Sequence, residues 1–223
     1  MKKELIKCNK RGRLLGIFIG VALSLSVSAE TADAGASAWN FDVYVDDKKV
    51  GTHLFEVVGD ATQRRVQSIA DFKLKVFFVP AYSYRHTNVE RWANDCLLEF
   101  DASTRINGKQ TQVTGTSSDS GFTVRKESER QVLPNCVMTF AYWNPEFLKQ
   151  KRLLNPQTGE FVDVSVELLG QDTLEVRGQR VAADRYKVTG RNIELLLWYS
   201  PDDEWLRLES VAKTGHVIRY ELS

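Results

Sequence analysis

Apolar and polar residues alternate along most of the chain, and this period of two is the strongest constraint on its fold. Trp39 and Phe41 begin the pattern, and residues 162–168 repeat it much later. Such alternation is typical of half-buried β-strands, whose successive side chains face opposite sides of a sheet. Turn signals such as Asn107-Gly108 separate the strands and favour hairpins. The sequence therefore predicts a mainly β protein, a single antiparallel, strongly curved sheet or open barrel of about 12 strands. A two-sheet sandwich remains the alternative.

The stretch 136–160 interrupts this alternation. Asn144 is a favourable helix N-cap, Pro145 suits the first helical position, and Glu146 favours the first turn. The pattern predicts one short helical insertion that ends near Lys151.

The N-terminal residues have the pattern of a secretory signal peptide. Six basic residues precede an apolar run over 14–27 that is short for a membrane span, and Val27-Ser28-Ala29 is a small-residue cleavage site. We expect a signal peptide over residues 1–29, a flexible leader over 30–38 and a single β domain over 39–223. An uncleaved anchor and cleavage after Ala38 are the alternatives.

Removal of residues 1–29 makes the chain mildly acidic. The whole chain has a formal net charge of +1, and the lost segment contains six basic residues and one acidic residue, which leaves −4. This balance argues against nucleic acid or an anionic membrane surface as the main partner. No later apolar run approaches the length of a membrane span.

Cys96 and Cys136 are the two cysteines that remain after cleavage, since Cys8 lies in the signal peptide. An even pair in an exported chain predicts a disulfide, with two buried free thiols as the alternative. We expect no metal and no cofactor. The chain has no CxxC, no G-x-S-x-G and no phosphate-binding glycine loop, and its three histidines stand far apart.

The strand over residues 82–92 breaks the in/out rule, because neither of its faces is apolar. One face combines aromatic and polar groups, which suits a cleft for an amphipathic ligand. An edge strand with charges in cross-strand pairs is the alternative. The aromatic groups around Trp143 and Trp198 are further candidates for ligand binding. The alternative is that they pack the helix against the sheet. The candidate ligand-binding residues are Tyr82, Tyr84, His86, Glu90, Trp92, Tyr142, Trp143 and Trp198.

Several motifs resemble a family of exported bacterial proteins of unknown function. They are Trp39-Asn40-Phe41-Asp42-Val43-Tyr44 with Gly51, Cys136 with Phe140-Ala141-Tyr142-Trp143, Leu153-Leu154-Asn155, Gln157-Thr158-Gly159-Glu160 and Leu197-Trp198-Tyr199. The architecture is also similar to the half-barrels of periplasmic lipoprotein carriers, in which a curved sheet wraps an apolar cavity. This second likeness concerns the fold alone.

Three functions are consistent with these features. The first is a non-enzymatic periplasmic module that binds or carries a lipid, a lipoprotein acyl chain or another amphipathic molecule. The second is an enzyme acting on envelope material, with His86 and Glu90 as acid and base. These two are about 13 Å apart along a strand, too far for direct cooperation, so we favour the first. The third is a structural partner in an envelope complex.

We expect the exported protein to begin at Glu30 and to be found in the periplasm. The reason is the small-residue site that follows a short apolar run. N-terminal sequencing of the periplasmic fraction measures this directly. Full-length chain in washed membranes would contradict both the cleavage site and the location.

Overall fold

The computed structural model describes residues 35–76, 79–211 and 215–223. The predicted signal peptide and the first residues of the predicted leader lie outside the described residues. The first strand begins at Ala36, so the end of the predicted leader pairs with the next strand, Ala36 opposite Val58.

Within the described residues, fourteen strands form one antiparallel sheet, which confirms the predicted fold class. The strands are β1 (Ala36–Val45), β2 (Lys48–Gly59), β3 (Gln63–Val76), β4 (Val79–Ala93), β5 (Cys96–Ile106), β6 (Lys109–Ser118), β7 (Gly121–Lys126), β8 (Glu129–Leu133), β9 (Arg152–Leu154), β10 (Phe161–Val176), β11 (Gln179–Gly190), β12 (Ile193–Tyr199), β13 (Trp205–Val211) and β14 (Val217–Leu222).

The first and last described strands, β1 and β14, lie side by side in the middle of the sheet. From β1 the chain runs strand by strand to β8 at one edge, then crosses to β9 at the other edge. From β9 it runs back to β14, which pairs with β1, Phe41 opposite Leu222. Tight turns join most neighbours, as at Asn107-Gly108, where Asn107 adopts a left-handed φ of 49°. This is the hairpin that the sequence predicts.

The crossing segment, residues 134–151, forces the sheet to curve. The sheet has fourteen strands, so its edges would be roughly 60 Å apart if it were flat. The crossing segment would span about 60 Å only if every residue were fully extended. It contains turns and a 3₁₀ helix, which rises only about 2 Å per residue. The two edges must therefore approach each other, and the Gln131 side chain of β8 does donate to the Gly159 carbonyl just before β10.

Register shifts mark where the strands bend. One lies in the β1–β2 pairing between Val43 and Tyr44, and others occur in the pairings of β4, β10 and β12. Such bulges increase the local twist and help a sheet to curl. Gly51 is needed at the first of them, because a Cβ there would lie 1.9 Å from the Asp71 carbonyl oxygen.

The predicted short helix is present as a 3₁₀ helix, Pro145–Lys149. The Asn144 side chain accepts from the Glu146 backbone N–H, as an N-cap does, and the helix buries Phe147. Large side chains of the crossing segment join the inner face of the sheet in one core. Trp143 packs edge-to-face on Trp92 of β4, with ring centroids 5.5 Å apart.

Cys96 and Cys136 form the predicted disulfide, which ties the crossing segment to the start of β5. Backbone bonds continue this attachment. Leu97 N donates to Val137 O at 3.0 Å, and Leu154 N of β9 donates to Met138 O at 2.8 Å. The part of the chain that the structure describes has no helix long and apolar enough to cross a membrane.

Replacing both cysteines, Cys96→Ala with Cys136→Ala, should lower the free energy of unfolding by about 2–4 kcal/mol. The bond closes a loop with a sequence separation of 40, which restricts the unfolded chain. Urea unfolding of the oxidised protein and the double variant measures the difference. Reductant should shift the midpoint of the wild type alone, and equal midpoints for oxidised wild type and variant would contradict the prediction.

Candidate functional site

The inner face of the sheet has a patch of polar residues where the alternation would place apolar ones. His53 of β2, Ser68 of β3 and the β4 residues His86, Asn88 and Glu90 are all buried. The strand register places them together, with Ser68 directly opposite Asn88. The patch lies under the crossing segment and lines one side of a cavity of about 250 Å³, here called the polar cavity. The buried polar residues of its wall are His53, Ser68, His86, Asn88, Glu90 and Thr139, and Asn155, Gln157, Asn192, Glu194 and Ser210 add polar groups on its other sides.

Glu90 is held by two donors on its own strand. Asn88 Nδ2 donates to Glu90 Oε1 at 2.8 Å, and Trp92 Nε1 donates to Glu90 Oε2 at 2.9 Å. Burial raises the pKa of Glu90, while these two hydrogen bonds lower it. Thr139 Oγ1 is near enough to lower this pKa as well, but it makes no hydrogen bond of ordinary geometry.

Two histidines of the polar cavity are held by hydroxyl groups. His53 Nε2 is 2.7 Å from Ser68 Oγ, and His86 Nδ1 is 2.9 Å from Thr104 Oγ1. Burial lowers the pKa of His53 to about 3 and that of His86 to about 4. Both imidazoles are therefore neutral at neutral pH, and each can donate through one nitrogen and accept through the other.

A second cavity of about 350 Å³, here called the apolar cavity, lies beside the first. The two share part of their walls, including His53 and Tyr142. Phe72 and Tyr84 stack in the apolar cavity, with ring centroids 5.1 Å apart and planes 13° apart. Burial raises the pKa of the tyrosines here, so their hydroxyls are uncharged. The remaining wall is mostly aliphatic, from Val43, Val45, Val50, Leu74, Leu195, Leu208 and Ile218.

The structure brings most of the predicted ligand-binding residues to these two cavities. His86 and Glu90 line the polar cavity, and Tyr82 and Tyr84 line the apolar cavity. Tyr142 and Trp143 come from the crossing segment, which lies over the same patch; Tyr142 lines both cavities and Trp143 the polar one.

Two predicted residues line neither cavity. Trp92 is 1% exposed and packs in the core between Glu90 and Trp143. Trp198 donates from its indole to Asp172 at 2.8 Å and lies under the Arg207 guanidinium, 5.5 Å from the ring centroid.

Sequence reasoning missed His53, Ser68 and Thr139 as residues of the site. His53 shares a strand face with Phe55 and Val57, so a polar residue on an otherwise apolar face was the available signal. The histidines looked unrelated because they stand far apart in sequence, yet His53 and His86 line one cavity. His216 is elsewhere, 2.9 Å from Asp46 at the surface.

The hydrogen bond between Ser68 and His53 has the geometry of a nucleophile and base, but its chemistry is weak. His53 Nδ1 is buried without a hydrogen-bond partner among the described residues, so no carboxylate orients the ring. A histidine with a pKa of about 3 is also a poor base for a serine hydroxyl. His86 and Glu90 make their hydrogen bonds to other groups rather than to each other. The described residues contain no cluster of His, Cys, Asp and Glu that could hold a metal ion.

Comparison with known proteins gives a fold and a family. The structure is similar to a crystal structure described as a β-barrel-like protein of domain of unknown function DUF1849 from Brucella abortus. The TM-score is 0.63 at 9% identity, over 86% of this chain and 96% of that one, so the likeness concerns the fold. No curated protein matches the chain.

The fold and the site define a barrel-like β protein with paired polar and apolar cavities under a crossing segment. The chain belongs to the family of the domain of unknown function DUF6134, whose model matches residues 41–223. This confirms the resemblance to a family of unknown function with a barrel-like fold.

The free energy of unfolding should fall more steeply with acid in the wild type than in His86→Gln. The folded pKa of His86 is about 4 and the unfolded value is about 6.5, so the unfolded chain binds an extra proton between them. The stability that this residue provides is present above about pH 6.5 and is lost as the pH falls towards about 4. Urea unfolding between about pH 7 and 4.5 should show a difference of about 2 kcal/mol. Parallel curves for the two proteins would contradict the burial of His86 as a neutral group.

Proposed function

We propose that the protein is a non-enzymatic periplasmic binding or carrier module for a single-chain amphipathic, lipid-like molecule. The adjacent polar and apolar cavities are the observation that supports this proposal most directly. In it, the head group of the ligand occupies the polar cavity and the hydrocarbon chain occupies the apolar one. Pockets of this kind combine an apolar wall with a few placed polar groups.

The buried polar patch supports ligand binding over a purely structural role. A buried polar atom without a hydrogen bond destabilises a folded protein, and His53, Asn88 and Thr139 each have one that lacks a partner among the described residues. Replacing these residues by apolar ones would make a simpler core. Their presence around one cavity is explained if a ligand supplies the missing bonds.

Export fits this function. The disulfide favours an oxidising compartment, and the N-terminal pattern favours secretion. A carrier of lipid-like molecules in such a compartment has to shield an apolar chain from water, and the curved sheet with its crossing segment provides the enclosure.

Two alternatives have weaker support. Ester hydrolysis would use Ser68 and His53, but His53 is a poor base and lacks an orienting carboxylate among the described residues. A docking surface for an envelope complex would need exposed aromatic groups. Trp92, Trp143 and Trp198 are buried, which leaves little aromatic surface for a partner.

Tyr84→Ala should weaken ligand binding about five- to thirtyfold, because the half-buried Tyr84 ring forms part of the apolar wall. Displacement of the neutral fluorophore aminoanthracene by dodecanol measures the affinity. Tyr186→Ala is the matched control, since Tyr186 is also half-buried but lines neither cavity.

The two variants separate binding from folding. Both variants lose the same atoms, and urea unfolding measures the stability that each one loses, while only Tyr84→Ala should lose affinity. If neither fluorophore nor dodecanol binds the folded wild type, the proposed function is wrong. Mass spectrometry of molecules that copurify from the periplasm then identifies the natural ligand, and recovery of intact acyl esters would argue against hydrolysis.

A further inference from the structure

We propose that the polar cavity recognises an uncharged head group that both donates and accepts hydrogen bonds, namely the hydroxyl group of a fatty alcohol or monoacylglycerol. This inference rests on the proposed function and adds the chemical class of the ligand. It follows from three buried polar atoms, from the orientation of one amide and from the charges on the cavity walls.

Three buried polar atoms of the residues around the polar cavity have no hydrogen-bond partner among the described residues. They are His53 Nδ1, Asn88 Oδ1 and Thr139 Oγ1. They belong to residues of β2, β4 and the crossing segment, and all three residues line the same cavity. Their residues are 8%, 6% and 1% exposed, so bulk water does not satisfy them.

The amide of Asn88 has a defined orientation. Its Nδ2 donates to Glu90 Oε1, and this fixes which end of the amide turns away from the carboxyl group. The free atom, Oδ1, can only accept a hydrogen bond. A complementary ligand must therefore donate, and an ester carbonyl or an ether oxygen alone would leave Asn88 Oδ1 unpaired.

The other two free atoms adapt to a hydroxyl. Thr139 has a rotating hydroxyl that can donate or accept. His53 Nδ1 donates if Nε2 accepts from Ser68, and it accepts if Nε2 donates. A ligand hydroxyl that donates to Asn88 can thus accept from Thr139 or His53, so the hydroxyl acts both as a donor and as an acceptor.

The charges around the cavities disfavour an anionic head group. Among the described residues that line the polar and apolar cavities, there is no Lys or Arg. The ionisable acids there are Glu90 and Glu194, and Glu194 already pairs with Lys187 at 2.8 Å. A carboxylate or phosphate would be buried there without a counter-charge from the described lining residues, which is strongly unfavourable.

A cationic head group is the closest competitor, because it could pair with Glu90. Both oxygens of Glu90 already accept a hydrogen bond, from Asn88 and from Trp92. Burial also raises the pKa of Glu90 and so favours its neutral form. The free atoms belong to neutral groups, and a neutral hydroxyl satisfies them without burying a charge.

The test uses four single-chain probes that differ only at the head: dodecanol, dodecyl methyl ether, dodecanoate and dodecylamine. The affinity of each probe is measured by displacement of aminoanthracene from the full exported chain at neutral pH. Dodecanol should bind about five- to tenfold more tightly than the ether, because the ether lacks the donor that Asn88 requires. Dodecanoate and dodecylamine should both bind more weakly than dodecanol.

The Thr139→Val variant tests whether the preference for dodecanol arises in the polar cavity. The change removes one hydroxyl and keeps the shape of the side chain, and that hydroxyl makes no hydrogen bond of ordinary geometry with the described residues. We expect stability to be unchanged or higher, dodecanol affinity to fall about threefold to tenfold, and ether affinity to stay within about twofold. Thr87→Val, on the opposite face of β4, is the matched control and should leave all four affinities unchanged.

The outcomes separate this inference from the proposed function. Equal affinities for dodecanol and the ether, or tighter binding of dodecanoate or dodecylamine, would overturn the hydroxyl assignment while the protein still binds amphipathic molecules. Unchanged dodecanol affinity in Thr139→Val would likewise overturn it. Binding of none of the four probes would overturn the proposed function and this inference together.

Discussion

The crossing segment is the constraint on which the rest of the structure depends. The first and last described strands, β1 and β14, pair with each other in the middle of the sheet, so one connection, residues 134–151, must join the two edges. That connection is too short to pass around a flat sheet of fourteen strands. The sheet therefore curls until its edges approach, and the crossing segment fills the concave side. The disulfide between Cys96 and Cys136 and the hydrogen bond from the Tyr199 hydroxyl to Tyr142 O hold it there.

The same arrangement explains why a site lies where it does. A curled sheet of this size has more inner surface than one short segment can cover, so space remains beside the segment. Where the inner face is aliphatic and aromatic, that space is the apolar cavity. Where His53, Ser68, Asn88 and Glu90 replace apolar residues, it is the polar cavity. Burial then sets the chemistry, because it keeps both histidines neutral and raises the pKa of Glu90.

Local signals predicted much of the fold. The alternation gave a single antiparallel sheet, the Asn107-Gly108 turn gave a hairpin, and Asn144-Pro145 gave the helix start. The mixed face of residues 82–92 led to half of the site, since β4 supplies His86 and Glu90. The other half of the site depends on cross-strand register, which places Ser68 opposite Asn88. This register cannot be read from either strand alone. Trp198 shows the limit of such reasoning, because the sequence alone does not tell on which face of a curved sheet an aromatic residue lies.

The sequence by itself determined the local structure, because strand period, turn chemistry and helix capping act over a few neighbouring residues. It also predicted the disulfide between Cys96 and Cys136, because Cys8 lies in the predicted signal peptide. The tertiary structure alone decided how far the sheet curls and which inner-face residues meet Thr139. Those features follow from contacts between residues that are distant in sequence, such as the parallel bridge of Thr139 with Leu154. The cavities are the space left after that packing, so no single stretch of sequence specifies them.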